Sequence, residues 1–255
     1  RRHTRWSGDW SSDVCSSDLN ILAMKVDMIV LRHPNPGSSI LLSKHTNSCI
    51  INAGDGSHEH PTQALLDSFS IFEKIGDLKG KNILIVGDIL HSRVALSNFY
   101  ILNLLGANIK VSCPLSLVPR DIDKLNVSIE PNIEKALKWC DAVNILRVQR
   151  ERMLKSYFPD NREYSMLFGL DLNKINHVKK DILILHPGPI NRGVEITSDV
   201  VDSDSSIILD QVENGVAIRM AIMYLLASKL NFTINKSWNY LITENHMIKM
   251  RSEEH

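Results

Sequence analysis

The chain has four cysteines in 255 residues, Cys15, Cys49, Cys113 and Cys140, and none form a CxxC pair. That argues against a disulfide framework or a zinc knuckle and fits a reducing cytoplasm. No apolar run reaches the ~20 residues that span a bilayer, and the most apolar stretch near the C-terminus is broken by Arg219 and Lys229, so no membrane partner is expected. Excess charge of either sign is also missing, with 29 basic against 29 acidic residues. No chain-wide attraction to nucleic acid follows, and anion binding has to be local. GxGxxG and HExxH are absent too, which argues against a nicotinamide cofactor and a zincin-type metal site.

What is present is a globular composition, 44% hydrophobic, at a length that accommodates two α/β domains in tandem. Residues 54–67, GDGSHEHPTQALLD, organise the reading. Gly54 and Gly56 permit a sharp turn after the apolar run Cys49, Ile50, Ile51, so a strand is expected to end there. Pro61 suits a first helical position, and Ala64, Leu65, Phe69 and Phe72 follow at helical spacing. His58, His60, Thr62 and Gln63 are thereby held at a strand end and a helix N-terminus, where free N–H groups favour an anionic or carbonyl-bearing ligand. Simple helix capping by these residues is the competing reading, and a His58/His60 zinc site is a remoter one.

Before this stretch, Ile21, Leu22 and Met24 suit a helix end, and 28–31 reads as a buried strand closed by Arg32, His33 and Pro34. After it, a turn-rich segment at 76–81 marks a domain boundary. Strands are then expected at 82–86, 108–112, 142–146, 182–185 and 207–209, alternating with helices in the rhythm of a doubly wound parallel sheet. In such sheets ligands bind beyond the strand C-termini, where Arg32, His60, Asp88 to Arg93, Arg147 to Gln149 and His186 to Pro189 all fall. Arg147 and Gln149, two apart on an extended segment, face one side and suit a carboxylate, with a structural ion pair the equal alternative for Arg147. Residues 212–230 are expected to form an amphipathic helix with Ala217, Met220, Ala221, Tyr224, Leu225 and Leu226 on its apolar face.

Six segments in register, RHP at Arg32, HEHPTQ at 58–63, GDILHSRVA at 87–95, RVQRER at 147–152, HPGP at 186–189 and QVENGVAIRM at 211–220, resemble the catalytic chains of aspartate carbamoyltransferases. The resemblance to ornithine carbamoyltransferases is looser, since that family carries HCLP where this chain has HPGP and lacks RVQ. The resemblance implies an α/β fold of two doubly wound parallel-sheet domains, the first incomplete. It implies transfer of a carbamoyl group from carbamoyl phosphate to L-aspartate in pyrimidine synthesis, with no metal or organic cofactor. Arg32, His60, Gln63, Gly188 and Pro189 would bind carbamoyl phosphate, with Arg32 and His60 polarising its carbonyl. Arg93, Arg147 and Gln149 would hold aspartate.

The family's serine-threonine-arginine-threonine-arginine loop, expected well upstream of Arg32, is not found, nor is the lysine-bearing loop that a neighbouring subunit supplies. Residues 1–18 and 251–255 resemble translated sequencing adapter and are expected to be foreign. The expected organisation is then 19–76 as a partial carbamoyl-phosphate domain, 77–211 as the aspartate domain, 212–230 as a helix packing back on the first domain, and 231–255 as a tail. A homotrimer is expected only with the missing region restored, and activity of the chain alone is expected to be impaired. The alternatives are a non-catalytic carbamoyltransferase-like scaffolding subunit, a carbamoyltransferase for another amino acid such as ornithine, and a metal-dependent hydrolase using His58 and His60.

Overall fold

A computed structural model describes residues 26–148, 161–178 and 181–229. Strands β1 (Met28–His33) and β2 (Cys49–Asp55) pair in parallel, joined through helix α1 (Ser38–Ser43). Helix α2 (Pro61–Ile75) follows β2 and begins at Pro61, as the turn chemistry predicts. β1 differs from expectation: none of its residues is fully buried, and Val30 is 60% exposed. Among the described residues β1 has a neighbour on one edge only. Ile40, Leu41, Leu65 and Phe72 are exposed as well.

From residue 82 onward the chain builds a five-stranded, all-parallel sheet in the order β5-β4-β3-β6-β7. Its strands are β3 (Asn82–Val86), β4 (Asn108–Ser112), β5 (Val127–Ile129), β6 (Ala142–Ile145) and β7 (Leu183–Leu185). The central strands β3 and β6 are mostly apolar and almost wholly buried, because helices cover both faces. Ile83 and Ile85 of β3 pack on one side with Ile71 of α2 and with Phe99 and Leu102 of α3 (Arg93–Leu104). Leu84 and Val86 pack on the other with Ala136 and Leu137 of α4 (Ile133–Trp139) and with Tyr164 and Phe168 of α5 (Asn161–Phe168). The short helices α6 (Leu172–Asn176) and α7 (Ser198–Val201) complete this layer.

The order reverses at β3, whose neighbours β4 and β6 lead the chain to opposite edges of the sheet. Such a switch point leaves a crevice beyond the strand C-termini, between Val86 and Ile145. Arg93 and Arg147 are carried on the two segments that leave these strands. Ser92 caps α3, its Oγ accepting the Ala95 N–H at 3.2 Å. Ser92→Ala should therefore cost about 1 kcal/mol of stability, read as a shift of the urea midpoint.

Two expected elements are corrected. Residues 207–209 are not a strand: Ser206 makes one isolated parallel bridge to Ile184, and Ile208 already opens helix α8 (Ile208–Lys229). The β-branched pair Ile207 and Ile208 reads locally as strand, but both side chains are buried at the start of the helix. β5 is an element the sequence reading does not anticipate, because three residues with two exposed side chains carry almost no periodicity. Helix α8 is present, and its part up to Arg219 packs with a largely polar face. Up to Arg219 its buried positions are Ile208, Gln211, Asn214 and Gly215, while Ala217 is exposed. Asn214 Nδ2 donates to Ser70 Oγ at 3.0 Å and to Glu73 Oε2, and Lys74 pairs with Asp210 at 3.0 Å, so this part meets α2 through polar groups. In the remaining turns Met220, Ala221, Tyr224 and Leu225 are exposed and Leu226 is half-buried. The proposed helix end at 21–24 lies outside the described residues. No described helix is long and apolar enough to cross a membrane.

Candidate active site

At the C-terminal end of β2 the chain turns through Gly54 (φ 131°) and Gly56 (φ 57°). The turn is closed by the Asp55 N–H donating to the Glu59 carbonyl at 2.8 Å. His60 is the residue immediately before α2, and its backbone N–H donates to Ser97 Oγ at 2.8 Å, tying the start of α2 to α3. Its ring Nδ1 lies 3.4 Å from Thr62 Oγ1. Burial, and after it the positive charges of Arg93, Arg219 and Arg32, push the imidazole down to about 4. His60 is therefore neutral at physiological pH. A neutral ring among three guanidinium groups at a helix N-terminus is a place that an anion would complete.

The pH dependence follows from the sign of that shift. Between pH 6.5 and about 4 the unfolded chain takes up a proton at His60 that the folded chain refuses. Stability should fall as pH drops through this window, by about 2 kcal/mol. Urea midpoints from pH 7 to 4.5 should show this loss, and His60→Gln should remove it.

Arg93 is buried, and its Nη1 donates to the Gly56 carbonyl at 3.1 Å. Its guanidinium lies flat on Gly54, where an added Cβ would come within 2.8 Å of Arg93 Cζ. Arg32, on β1, is exposed, and Arg147, just past β6, is half-buried. Gln149 lies outside the described residues. Gly188 and Pro189, joined by a cis peptide bond, are exposed on the loop after β7. That loop is anchored from below: the Gly188 N–H donates to His186 Nδ1 at 2.9 Å, and His186 Nε2 faces Glu195 Oε1 at 3.4 Å, both side chains fully buried. His58 instead pairs with Asp55 Oδ2 at 3.5 Å on the outside of the turn. Among the described residues no group of three or more His, Cys, Asp or Glu could hold a metal ion.

The segments around the crevice meet at Asp67, which is fully buried. Its Oδ1 accepts Gln63 Nε2 at 2.9 Å and Gln211 Nε2 at 2.7 Å. Its Oδ2 accepts Asn98 Nδ2 at 2.9 Å and Asn144 Nδ2 at 3.1 Å. Gln211 Oε1 in turn accepts the His186 backbone N–H at 2.9 Å. One carboxylate thus connects Gln63 on α2, Asn98 on α3, Asn144 at the end of β6 and the loop bearing Gly188 and Pro189. Burial raises the Asp67 carboxyl above the usual carboxylate range, while these amide donors pull it back.

His60 lies within the electrostatic reach of Arg93, Arg219 and Arg32, and the Asp67 bonds tie Gln63 to the 186–189 loop. The residues that sequence reasoning passed over are Arg219 and Asp67. Arg219 and Gln211 lie within the segment 211–220 singled out for its pattern, but neither was given a role. Asp67 stands four residues after Gln63, on the same helix face, which was the available signal.

Two parallel-sheet segments, with a cationic crevice at the switch point and a polar helix N-terminus beside it, define an α/β enzyme that handles anionic substrates. The family described as the carbamoyl-P binding domain of aspartate/ornithine carbamoyltransferase matches residues 14–73, and its Asp/Orn binding domain matches residues 79–226. The chain belongs to the aspartate/ornithine carbamoyltransferase family. Within it, the chain is 65% identical over 211 residues to the aspartate carbamoyltransferase catalytic subunit of Christiangramia forsetii, covering 83% of this chain and 68% of that relative. Among solved structures, Trypanosoma cruzi aspartate transcarbamoylase in complex with N-(phosphonacetyl)-L-aspartic acid has a TM-score of 0.72 at 23% identity, covering 86% of this chain and 74% of that one, a likeness of fold. Pyrococcus furiosus ornithine carbamoyltransferase has a TM-score of 0.72 at 26% identity, covering 82% and 69%.

Proposed function

We propose that this chain transfers the carbamoyl group of carbamoyl phosphate to the amino group of L-aspartate, giving N-carbamoyl-L-aspartate and phosphate, in the cytoplasmic synthesis of pyrimidines. The observation that carries the reading is the buried, neutral His60 at the start of α2, which feels the positive charges of Arg93, Arg219 and Arg32. Carbamoyl phosphate brings a phosphate and a carbonyl, and aspartate brings two carboxylates, so several cationic forks around one neutral donor fit the pair.

In this reading residues 19–76 bind carbamoyl phosphate and 77–211 bind aspartate. Arg32, His60 and Gln63, with Gly188 and Pro189, hold carbamoyl phosphate, while Arg93, Arg147 and Gln149 hold aspartate. The aspartate nitrogen attacks the carbonyl carbon, a C–N bond forms, the C–O bond to phosphorus breaks, and the amine gives up a proton as phosphate leaves. Arg32 and the neutral imidazole of His60 donate to the carbonyl oxygen as it becomes an oxyanion. Positioning of the amine against the carbon supplies the rest. No metal or organic cofactor takes part. The working assembly in this reading is a homotrimer.

Aspartate is favoured over ornithine because Arg93 and Arg147 repel a cationic side chain but suit a second carboxylate. Incubation with carbamoyl phosphate and labelled aspartate should yield carbamoyl aspartate, and with labelled ornithine no citrulline. Citrulline formation would move the assignment to the other branch of the family. No product with either amine, and no thermal protection by N-(phosphonacetyl)-L-aspartate, would favour a non-catalytic scaffolding subunit.

A further inference from the structure

The five-stranded sheet has two ends, and the crevice beyond its strand C-termini uses only one of them. At the other end, where Asn108 opens β4 and Val127 opens β5, lies a groove of about 460 Å³. Val127 and Trp139 give it an apolar wall, and its polar lining includes Asn103, Asn108, Asp123 and Ser128. None of these residues belongs to the crevice.

Three of the four polar side chains already use their donors on the protein itself. Asn103 Nδ2 donates to the Phe99 carbonyl at 2.8 Å and to the Leu125 carbonyl at 2.7 Å. A backbone carbonyl only accepts, so this amide cannot sit the other way round. Asn108 Nδ2 donates to the Gly80 carbonyl at 3.1 Å and to Asn82 Oδ1 at 3.0 Å. Asn82 is fixed in turn, because its own Nδ2 donates to the Trp139 carbonyl at 3.1 Å. Ser128 Oγ gives its hydrogen to the Ile109 carbonyl at 3.3 Å. What these side chains still offer is lone pairs, and the exposed carboxylate of Asp123 adds more.

We propose that this groove binds a small organic monocation rich in N–H donors, of the alkylguanidinium class. A guanidinium carries five N–H donors in one plane and no acceptor, which matches a lining of acceptors. Asp123 would take it as a charge-assisted pair, the Asn103 and Asn108 oxygens would accept its remaining N–H groups, and its alkyl part would lie on Val127 and Trp139. An anion would meet acceptors only. A polycation is disfavoured because a single carboxylate lines the groove while the Lys110 ammonium lies over the Trp139 ring, 4.2 Å from its centroid.

Butylguanidinium titrated into the whole chain and followed by heteronuclear NMR should shift the Trp139 indole N–H, a signal identified by its loss in Trp139→Phe. The backbone amides of residues 103–109 and 123–128 should move with it. Butyltrimethylammonium has the same charge and a similar apolar body but no N–H, and it should bind about 10-fold more weakly or worse. Asp123→Asn should weaken butylguanidinium about 3-fold or more. Ser128→Lys, at an exposed position of the edge strand β5, places an ammonium among the acceptors and should remove the shifts. It also carries the test if Asp123→Asn does not fold. Equal binding of the two cations, parent-like binding in the variants, or shifts confined to other residues would show an adventitious cation only and overturn the proposal, as would no shift in the parent chain.

Discussion

Replacing His60 by alanine should lower kcat for carbamoyl aspartate formation by about 10²- to 10³-fold, the usual loss when one preorganised donor to an oxyanion is removed. The effect depends on the ring's charge state. With its pKa near 4, His60 offers a neutral N–H over the whole range in which aspartate's amine can be a nucleophile. In the proposed mechanism its proton would stay on the ring, because a group so reluctant to become an imidazolium is a poor base. It would act as a fixed dipole, its backbone N–H anchored on Ser97 Oγ. The KM for aspartate should move little, since the loss falls on a charge that develops only in the transition state. For the same reason kcat should show no inflection near pH 6.5 that His60→Gln abolishes. Steady-state kinetics in both substrates check this. A His60→Ala enzyme with kcat within 3-fold of the parent would remove the histidine from the mechanism.

Gly54→Ala should raise the KM for aspartate by about 10-fold or more, although Gly54 itself touches no reacting atom. The added methyl would sit 2.8 Å from Arg93 Cζ and 2.9 Å from Nη1, so the guanidinium has to leave its seat and lose its bond to the Gly56 carbonyl. At φ 131° the backbone is also in a region that L-residues rarely occupy, which adds about 1–3 kcal/mol of strain. The side chain yields more easily than the backbone, so the main reading is a displaced Arg93. Saturation curves in aspartate at fixed carbamoyl phosphate would show it. If KM stays at the parent value while the melting temperature drops, Arg93 does not hold aspartate from this position.

Much of this architecture could be read from residue patterns. The turn at Gly54 and Gly56, the start of α2 at Pro61 and four of the five strands in the larger sheet follow from local rules that the tertiary structure does not override. The short strand β5 carries too little periodicity to be read, and two further misses come from contacts between segments distant in the chain. Ile207 and Ile208 have strand propensity, yet burial against the sheet edge places them at a helix start. The apolar residues of α8 promised a buried face, while the residues that meet α2 there are Asn214 and Asp210. Val30 reads locally as core and is 60% exposed. The site divides in the same way. His60, Gln63 and the arginines are visible as polar residues at strand ends, but the choice of Asp67 as their common anchor depends on Asn98, Asn144 and Gln211, which sit 31, 77 and 144 residues away from it.

That anchor also limits how the sequence can drift. Positions 63, 98, 144 and 211 lie on separate elements and in different parts of the chain, yet each supplies an amide to the same two oxygens. A leucine at position 67 would orphan four donors at once, and a change at any one of the four would leave an acceptor site empty beside a buried charge. Such a group can be replaced as a set far more readily than one member at a time. Among descendants of this sequence, these five positions are expected to change together or stay as they are.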